Sequence, residues 1–172
     1  MSGKYIFYDL ETTGRGKKES PKAFGTTPKW EQIMQIAAIV TDENFQETNQ
    51  NINEFCRPRT SIISQPGALL TTQKGIREAL HAEMSSYELM KKINATFDEW
   101  KKDTQEPVFI GHNIIDFDES VLEYNLFHNL FFPYITRKNR GDTLSLARAL
   151  YALNPSSIKT PLTARGNPSF KL

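Results

Sequence analysis

Four short runs of apolar residues, separated by polar segments, predict strands of a sheet. Runs of this length, bounded by turn-forming residues, are typical of strands in a sheet core. The predicted strands are residues 4–10, 33–40, 51–56 and 107–110. The last of them ends at Gly111, and glycine commonly marks the point where a strand stops.

Helical periodicity appears in the second half of the chain. Ser85 and Glu88 form the capping-box pattern that precedes a helix. The apolar residues that follow would share one face of this helix: Leu89, Ile93, Phe97 and Trp100. Two further helices are predicted at 117–129 and 142–153, the second capped by Asp142. Three strands, a helix, a strand and two helices predict an α/β or α+β layered fold with a mixed sheet.

Three segments lack periodicity and are predicted to be irregular. Residues 15–32 are polar and contain several lysines, glycines and prolines, which is typical of a surface loop. The stretch around Ser-Gln-Pro-Gly at 64–67 and the tail at 160–169 are also rich in turn-forming residues. These segments are therefore expected to lie outside the sheet and its helices.

Composition places the chain among ordinary globular proteins. Its 172 residues suffice for one domain with a sizeable core, and 38% of them are apolar. Because the net charge is only +1, an anionic ligand would be held by local cationic groups or metal ions. The single Cys56 excludes an intrachain disulfide and fits a reducing compartment. No apolar stretch resembles a membrane span or a signal peptide, so a cytoplasmic location is expected.

Two acidic residues, Asp9 and Glu11, stand at the end of the first predicted strand. Side chains alternate along a strand, so these two carboxylates lie on the same face. Like charges held close together are costly unless a cation neutralises them, and Mg²⁺ or Mn²⁺ prefers oxygen ligands. The alternative is a strand edge with two solvated acids before a glycine turn, and the spacing alone leaves both open.

A second acidic motif, at residues 110–119, follows the fourth predicted strand and opens a helix. Asp116 is followed three residues later by Glu119, a pattern that predicts Asp116 as the N-cap. Asp118 lies slightly further inside the helix, where its side chain could point back at the strand that carries Asp9 and Glu11. His112 is expected to be a packed or hydrogen-bonded residue at the strand end.

Together the two motifs resemble a known family. Tyr-Asp-Leu-Glu-Thr-Thr-Gly at 8–14 and Gly-His-Asn-x-x-x-Phe-Asp at 111–118 resemble motifs one and two of the DEDD superfamily of 3′–5′ exonucleases. Three residues separate Asn from Phe-Asp, which resembles the bacterial exonuclease I branch. The segments that support this branch are residues 35–42, 65–71, 139–155 and 168–172. The resemblance implies a ribonuclease H-like α/β fold, a mixed sheet with flanking helices.

The resemblance also implies roles for particular residues. Asp9, Glu11 and Asp118 match three acidic ligands of a catalytic site with two divalent ions, Mg²⁺ or Mn²⁺. The residues that match substrate contacts are Glu11, Thr12, Thr13, Gly14, Tyr134, Arg148 and Lys171. The alternative for Arg148 is a position on a solvated helix face. The basic loop at 15–32 could cover DNA, and the alternative is a surface loop whose charges are simply solvated.

One family motif has no match in this sequence. The family has a general-base His and a fourth Asp in a later helix, spaced H-x₄-D, whereas the last His here is His128 and the last acid is Asp142. Residues 1–172 are therefore expected to be an exonuclease domain truncated before that motif, with a fold that is incomplete at its C-terminal end.

The expected function is metal-dependent 3′–5′ hydrolysis of single-stranded DNA to nucleotide monophosphates, as in DNA repair, with activity impaired in this chain. The alternatives are an exoribonuclease of the same superfamily and a non-catalytic nucleic-acid-binding remnant. The resemblance further implies a single-strand-binding protein as a partner of the full-length enzyme. The lack of an apolar stretch of membrane-span length predicts no association with membranes.

Overall fold

The computed structural model describes residues 4–14, 32–59, 73–103, 107–131 and 139–170. Within them lies a five-stranded sheet with the order β3-β2-β1-β4-β5. The strands are β1 (Tyr5–Thr12), β2 (Ile33–Thr41), β3 (Ile52–Phe55), β4 (Val108–Gly111) and β5 (Arg140–Asp142). The first four confirm the four predicted strands to within two residues at each end.

The sheet is mixed, as predicted. β1 pairs antiparallel with β2 and parallel with β4. β2 pairs antiparallel with β3, and β4 pairs parallel with β5. β5 was not predicted, because Arg-Gly-Asp carries no apolar pattern and joins the sheet through backbone pairing alone.

Four helices are present in the described ranges: α1 (Gln73–His81), α2 (Ser86–Asp103), α3 (Asp118–His128) and α4 (Thr143–Leu153). The last three confirm the predicted helices. α1 was not predicted, because Gly75 and several polar residues obscure its periodicity. None of these four helices is long and apolar enough to cross a membrane.

The core lies between one face of the sheet and helices α2 and α3. The side chains of β1 that face it are Ile6, Tyr8 and Leu10. The predicted face of α2 is fully confirmed, since Leu89, Ile93, Phe97 and Trp100 are all buried. Burying a large apolar side chain stabilises a fold by about 1.5–3 kcal/mol, so this face is what holds α2 on the sheet.

Two of the three predicted helix caps are confirmed. The backbone N–H of Ser85 donates to Glu88 Oε2 at 2.7 Å, and the Glu88 N–H donates to Ser85 Oγ at 3.3 Å. Asp142 caps α4 and accepts from the backbone N–H groups of Leu144 and Ser145.

The third predicted cap, Asp116, is wrong. The N-cap of α3 is Phe117, which makes no side-chain capping hydrogen bond. Asp116 is exposed and belongs to the turn at 114–117. Glu119 does not reach back to complete a capping box, because its buried side chain accepts a hydrogen bond from Arg140 instead.

Several predictions fall on residues outside the described ranges. These are most of the 15–32 loop, the Gln-Pro-Gly stretch near 65–67, Tyr134 and Lys171. The tail at 160–169 is described and contains neither a helix nor a strand, as predicted. It contains one isolated antiparallel bridge, between Leu162 and Pro168.

Candidate active site

Strand β1 presents Asp9 and Glu11 on the same face, as the alternation of its side chains predicts. Tyr8 and Leu10, which flank Asp9, are buried in the core, whereas Asp9 is exposed and Glu11 is half-buried. Both acids therefore project from the face of β1 that is directed away from the core.

The end of β4 directs the chain toward these acids. β4 runs parallel to β1, with its last paired residue Ile110 opposite Phe7. A Cβ atom on Gly111 would lie 2.7 Å from the backbone carbonyl oxygen of Tyr8 and 2.0 Å from a methyl carbon of Ile114. Only glycine fits this close approach, after which the chain turns through Asn113, whose φ is 65°, and enters α3.

Asp118, the first residue of α3, reaches β1 directly. Its side chain is 3% exposed, and its Oδ1 accepts a hydrogen bond from the backbone N–H of Leu10 at 3.2 Å. Leu10 lies between Asp9 and Glu11 in the strand, beyond the last pair that β4 makes with β1. The structure thus brings Asp118 from α3 to the part of β1 that carries both other acids.

The three carboxylates influence one another electrostatically. The pKa of Asp118 is raised to about 7, mainly by burial and next by the neighbouring charge of Asp9. Backbone hydrogen bonds from Leu10 and from Asp118 itself oppose this rise in pKa, while Glu11 adds to it. Negative charge is therefore concentrated where α3 meets β1, and a bound cation would relieve it.

The pKa of Asp9 is also raised. The first cause is partial loss of hydration, although Asp9 as a whole is exposed to solvent, so the rise in pKa is expected to be smaller than at buried Asp118. A hydrogen bond from Leu10 and the proximity of His112 both lower the pKa of Asp9. The direction of the shift is the same as for Asp118, as expected of two acids that share one site.

The donors fit a hard divalent cation, because all three are carboxylates and the charge of Asp9 opposes ionisation of the buried Asp118. Across the residues that the structure describes, however, no three side chains of His, Cys, Asp or Glu form a group that could hold a metal ion as it stands. Assembly of three ligands around one ion therefore requires side chains to move from the positions observed.

Asp142 organises the loop that leads into α3. Its Oδ1 accepts from the backbone N–H groups of Asn113 at 3.0 Å and Leu144 at 2.9 Å, and its Oδ2 accepts from Ile115 at 3.4 Å. Sequence reasoning found the cap of α4 but missed the contacts with the loop. No local signal could reveal them, because the loop lies 29 residues earlier in the chain.

His112 is engaged in hydrogen bonds, as predicted for a residue at the strand end. Its Nε2 donates to the backbone carbonyl oxygen of Phe170 at 2.8 Å, and its Nδ1 lies 3.1 Å from Thr143 Oγ1. The imidazole therefore joins the end of β4 to the C-terminal segment, close enough to Asp9 to affect its pKa.

The Thr-Thr-Gly segment, which begins with the last residue of β1, is buried and forms hydrogen bonds within the protein. Thr12 Oγ1 donates to the carbonyl oxygen of Gly14 at 2.6 Å. The Thr13 N–H donates to the Gln32 carbonyl oxygen at 2.9 Å, and the Gln32 N–H donates to Thr13 Oγ1 at 2.9 Å. Any contact of this segment with a substrate must use other groups. Arg148 is exposed on α4, away from the buried end of that helix.

Sequence reasoning missed one ion pair beside the acids. Glu119, buried on the first turn of α3, accepts a hydrogen bond from the guanidinium of Arg140 on β5. The phenol of Tyr8 lies near this pair. Burial is the main cause of its raised pKa, the charges of Asp118 and Glu119 raise the pKa further, and the charge of Arg140 lowers it. The spacing of Glu119 from Asp116 had indicated a capping role, which concealed this contact.

Comparisons with known proteins agree with the motifs. A family profile for exonucleases, RNase_T, matches residues 6–167. Exodeoxyribonuclease I of Escherichia coli K12 is 30% identical over 98% of this chain. The match covers 33% of that protein, so the chain spans about a third of the length of the curated relatives it matches.

Solved structures of exonuclease I have the same fold. The E. coli enzyme in complex with a dT13 oligonucleotide superposes with a TM-score of 0.75 and 29% identity, over 98% of this chain and 34% of that one. A structure described as an ExoI/SSB-Ct complex gives a TM-score of 0.74, also at 29% identity and over the same two shares. The ribonuclease H-like fold is thereby confirmed, and the chain belongs to the RNase_T family of exonucleases.

Proposed function

We propose that this chain is the exonuclease domain of a metal-dependent 3′–5′ exodeoxyribonuclease that hydrolyses single-stranded DNA to nucleotide monophosphates. The observation that carries the proposal is the hydrogen bond from Leu10 to Asp118, which sets a third carboxylate beside Asp9 and Glu11. A phosphodiester is anionic, so a cluster of acids helps its hydrolysis only through bridging cations, here Mg²⁺ or Mn²⁺.

In this proposal the acids approach the metal from two elements, β1 and α3. Asp9 and Glu11 would hold it from the strand, and Asp118 from the first turn of α3. Two such ions, when bound, neutralise the phosphate and lower the pKa of the attacking water. The burial of Asp118 keeps its carboxylate weakly hydrated, so exchanging the few remaining waters for a cation costs it little.

His112 does not serve as the proton acceptor for that water. Its Nε2 proton is donated to Phe170, so the ring is already held in place. No residue after Asp142 in the printed sequence is a His or an acid, so these 172 residues offer no counterpart of the H-x₄-D motif. A positioned base contributes about 10²–10⁴-fold, and we propose that the 172-residue chain by itself hydrolyses DNA slowly.

Single-stranded DNA is proposed as the substrate because the similar exonuclease I structure was solved with a dT13 oligonucleotide. The residues proposed for substrate contact are Glu11, Thr12, Thr13, Gly14, Tyr134, Arg148 and Lys171. RNA is the alternative substrate, which contacts to the 2′-OH would decide. The ExoI/SSB-Ct structure supports a single-strand-binding protein as the partner of a longer form of this enzyme.

Metal binding provides the first test. Mn²⁺ titrated into the metal-free chain and followed by calorimetry should bind weakly, and Asp9→Asn or Asp118→Asn should abolish the binding heat. Asp116→Asn is the matched control, because Asp116 is exposed and lies only two residues from Asp118. The proposal is wrong if the wild-type chain binds no Mn²⁺, or if the Asp116 and Asp118 variants behave alike.

A nuclease assay then separates the candidate functions. With Mn²⁺ present, a 3′-labelled single-stranded DNA should lose its terminal nucleotide faster than an RNA of the same sequence, and Asp118→Asn should eliminate the difference. A non-catalytic nucleic-acid-binding remnant is the second candidate, since no three-ligand group is assembled within the described part of the chain. That candidate predicts DNA binding without any cleavage, at any Mn²⁺ concentration.

A further inference from the structure

The first turn of α3 carries Asp118 yet lacks the usual local anchor of a helix start. Its N-cap, Phe117, makes no side-chain capping hydrogen bond. Without a cap, the orientation of a first turn depends on its tertiary contacts. Both acids of this turn are buried, Asp118 at 3% and Glu119 at 5% exposure, so their side-chain contacts orient the turn together with the loop that Asp142 holds.

Two contacts hold this turn from opposite sides of β4. On one side, Asp118 accepts the hydrogen bond from Leu10 of β1. On the other side, Glu119 accepts from Arg140, which stands opposite Phe109 where β5 pairs with β4. Because β1 and β5 are the two neighbours of β4 in the sheet, the turn is fixed across three strands.

The Glu119–Arg140 pair is enclosed, with side-chain exposures of 6% and 21%. Removing two charges from water offsets most of their attraction, so an enclosed pair is a poor source of net stability. Such pairs are better suited to selecting one geometry among several. The residue next to Glu119 in this turn is Asp118, whose position depends on the orientation of the turn.

We propose that the Glu119–Arg140 ion pair is a positioning device for Asp118. It fixes the uncapped first turn of α3 so that the Asp118 carboxylate stays at the Leu10 amide, beside Asp9 and Glu11. In this proposal both residues act through the orientation of the turn and are positioning residues, not catalytic ones. The consequence for metal binding rests on the proposed function, whereas the consequence for the position of Asp118 does not.

Hydrogen exchange of the Leu10 amide tests the position directly in the metal-free chain. Glu119→Gln and Arg140→Met should each speed exchange at Leu10 at least ~10-fold relative to the Val108 amide, because the turn opens locally. The Val108 N–H donates to the Lys4 carbonyl oxygen in the same sheet, so the ratio removes any global loss of stability. Arg140→Lys keeps the charge and should give an intermediate rate.

An ion pair elsewhere supplies the matched control. Lys92 and Glu54 lie 2.5 Å apart at the surface, and Glu54→Gln should leave the Leu10 to Val108 ratio unchanged. If the ratio is also unchanged in both Glu119→Gln and Arg140→Met, the ion pair does not position Asp118. If Glu119→Gln fails to fold, the two Arg140 variants decide. A Leu10 to Val108 exchange ratio that rises above wild type, more in Arg140→Met than in Arg140→Lys, supports the proposal. The wild-type ratio in both variants overturns it.

Mn²⁺ affinity gives a second measurement. Residues that orient a metal ligand typically change affinity by about 10–100-fold when substituted, and Glu119→Gln should weaken Mn²⁺ binding by that factor. Wild-type affinity in Glu119→Gln would contradict the positioning role. Absence of Mn²⁺ binding in the wild-type chain would instead contradict the proposed function, and the exchange ratio at Leu10 would still decide about the ion pair.

Discussion

Asp118 and Asp142 are two aspartates at helix starts, and they stand in opposite electrostatic surroundings. Asp142 accepts hydrogen bonds from backbone N–H groups of the loop before α3 and of α4. Asp118 accepts one from Leu10, but it is buried beside Asp9, which raises its pKa. One carboxylate is surrounded by donors that satisfy it, and the other by charges of its own sign.

The difference separates a structural acid from a candidate functional one. A carboxylate that is satisfied by backbone donors stabilises the fold in its charged form. A buried carboxylate beside like charges destabilises the metal-free fold, and such unfavourable arrangements are concentrated at functional sites. Asp142 therefore holds the loop that leads to Asp118, and Asp118 is the acid proposed to take part in the chemistry.

Asp142→Ala should produce the largest loss of stability. It leaves the N–H groups of Asn113 and Leu144 without their acceptor and removes the cap of α4. A lost cap costs about 0.5–2 kcal/mol and an unsatisfied donor about 1–3 kcal/mol, so we expect a loss of about 2–4 kcal/mol. Urea unfolding measures it, with exposed Asp116→Ala as the control that changes little. If the two substitutions lower stability equally, the hydrogen bonds that Asp142 accepts do not stabilise the fold.

Gly111→Ala should have the next largest effect, because Gly111 joins β4 to the loop that Asp142 holds and that leads to Asp118. The added methyl would lie 2.7 Å from the Tyr8 carbonyl oxygen, so β4 or the following loop must shift. Overpacking of this kind costs about 1–3 kcal/mol. Gly141→Ala is the control, since its nearest contact is 3.3 Å, to a side chain that can adjust. If both variants unfold at the wild-type urea midpoint, the close approach at Gly111 is not real.

Asp118→Asn should stabilise the metal-free chain at high pH. The folded-state pKa of about 7 exceeds the ordinary aspartate pKa of 3.8, so the folded state binds more protons than the unfolded state between these two pH values. The stability that Asp118 contributes is thus present below about pH 4 and is lost as the pH rises through 7, by at most about 1.4 kcal/mol per unit.

Urea unfolding in EDTA at pH 5 and pH 8 measures this difference. The wild-type chain and Asp116→Asn should both lose stability between the two values, and Asp118→Asn should lose less. If Asp118→Asn loses as much stability between pH 5 and pH 8 as the wild-type chain, the pKa of Asp118 is not raised in the folded state, and the contrast with Asp142 fails.

Mn²⁺ should have the smallest effect on stability. A ligand at a concentration near its Kd stabilises the folded state by only about 0.4 kcal/mol, since the gain is RT ln(1 + [L]/Kd). The gain should appear in wild type and in Asp116→Asn and be absent from Asp118→Asn. Stabilisation of all three chains by the same amount would place the cation away from the acids.

Much of the fold and part of the site followed from local patterns. The apolar runs located four strands, and the spacing of Leu89, Ile93, Phe97 and Trp100 located the buried face of α2. Local patterns failed at β5, which has no apolar residue, and at Asp116, whose spacing from Glu119 imitates a capping box. In both cases pairing with a distant element overrode the local preference.

The sequence by itself determined that Asp9 and Glu11 share a face, because side chains alternate along any strand. It also determined the caps at Ser85 and Asp142, whose partners lie within three residues. The motifs favoured Asp118 over Asp116 by resemblance, and in the tertiary structure Asp118 accepts a hydrogen bond from β1 whereas Asp116 is exposed. β4 pairs parallel to β1 and ends at Gly111, so the first turn of α3 meets Leu10, over 100 residues from it in the chain. Which acids meet was therefore decided by the pairing of strands, a property that no local spacing encodes.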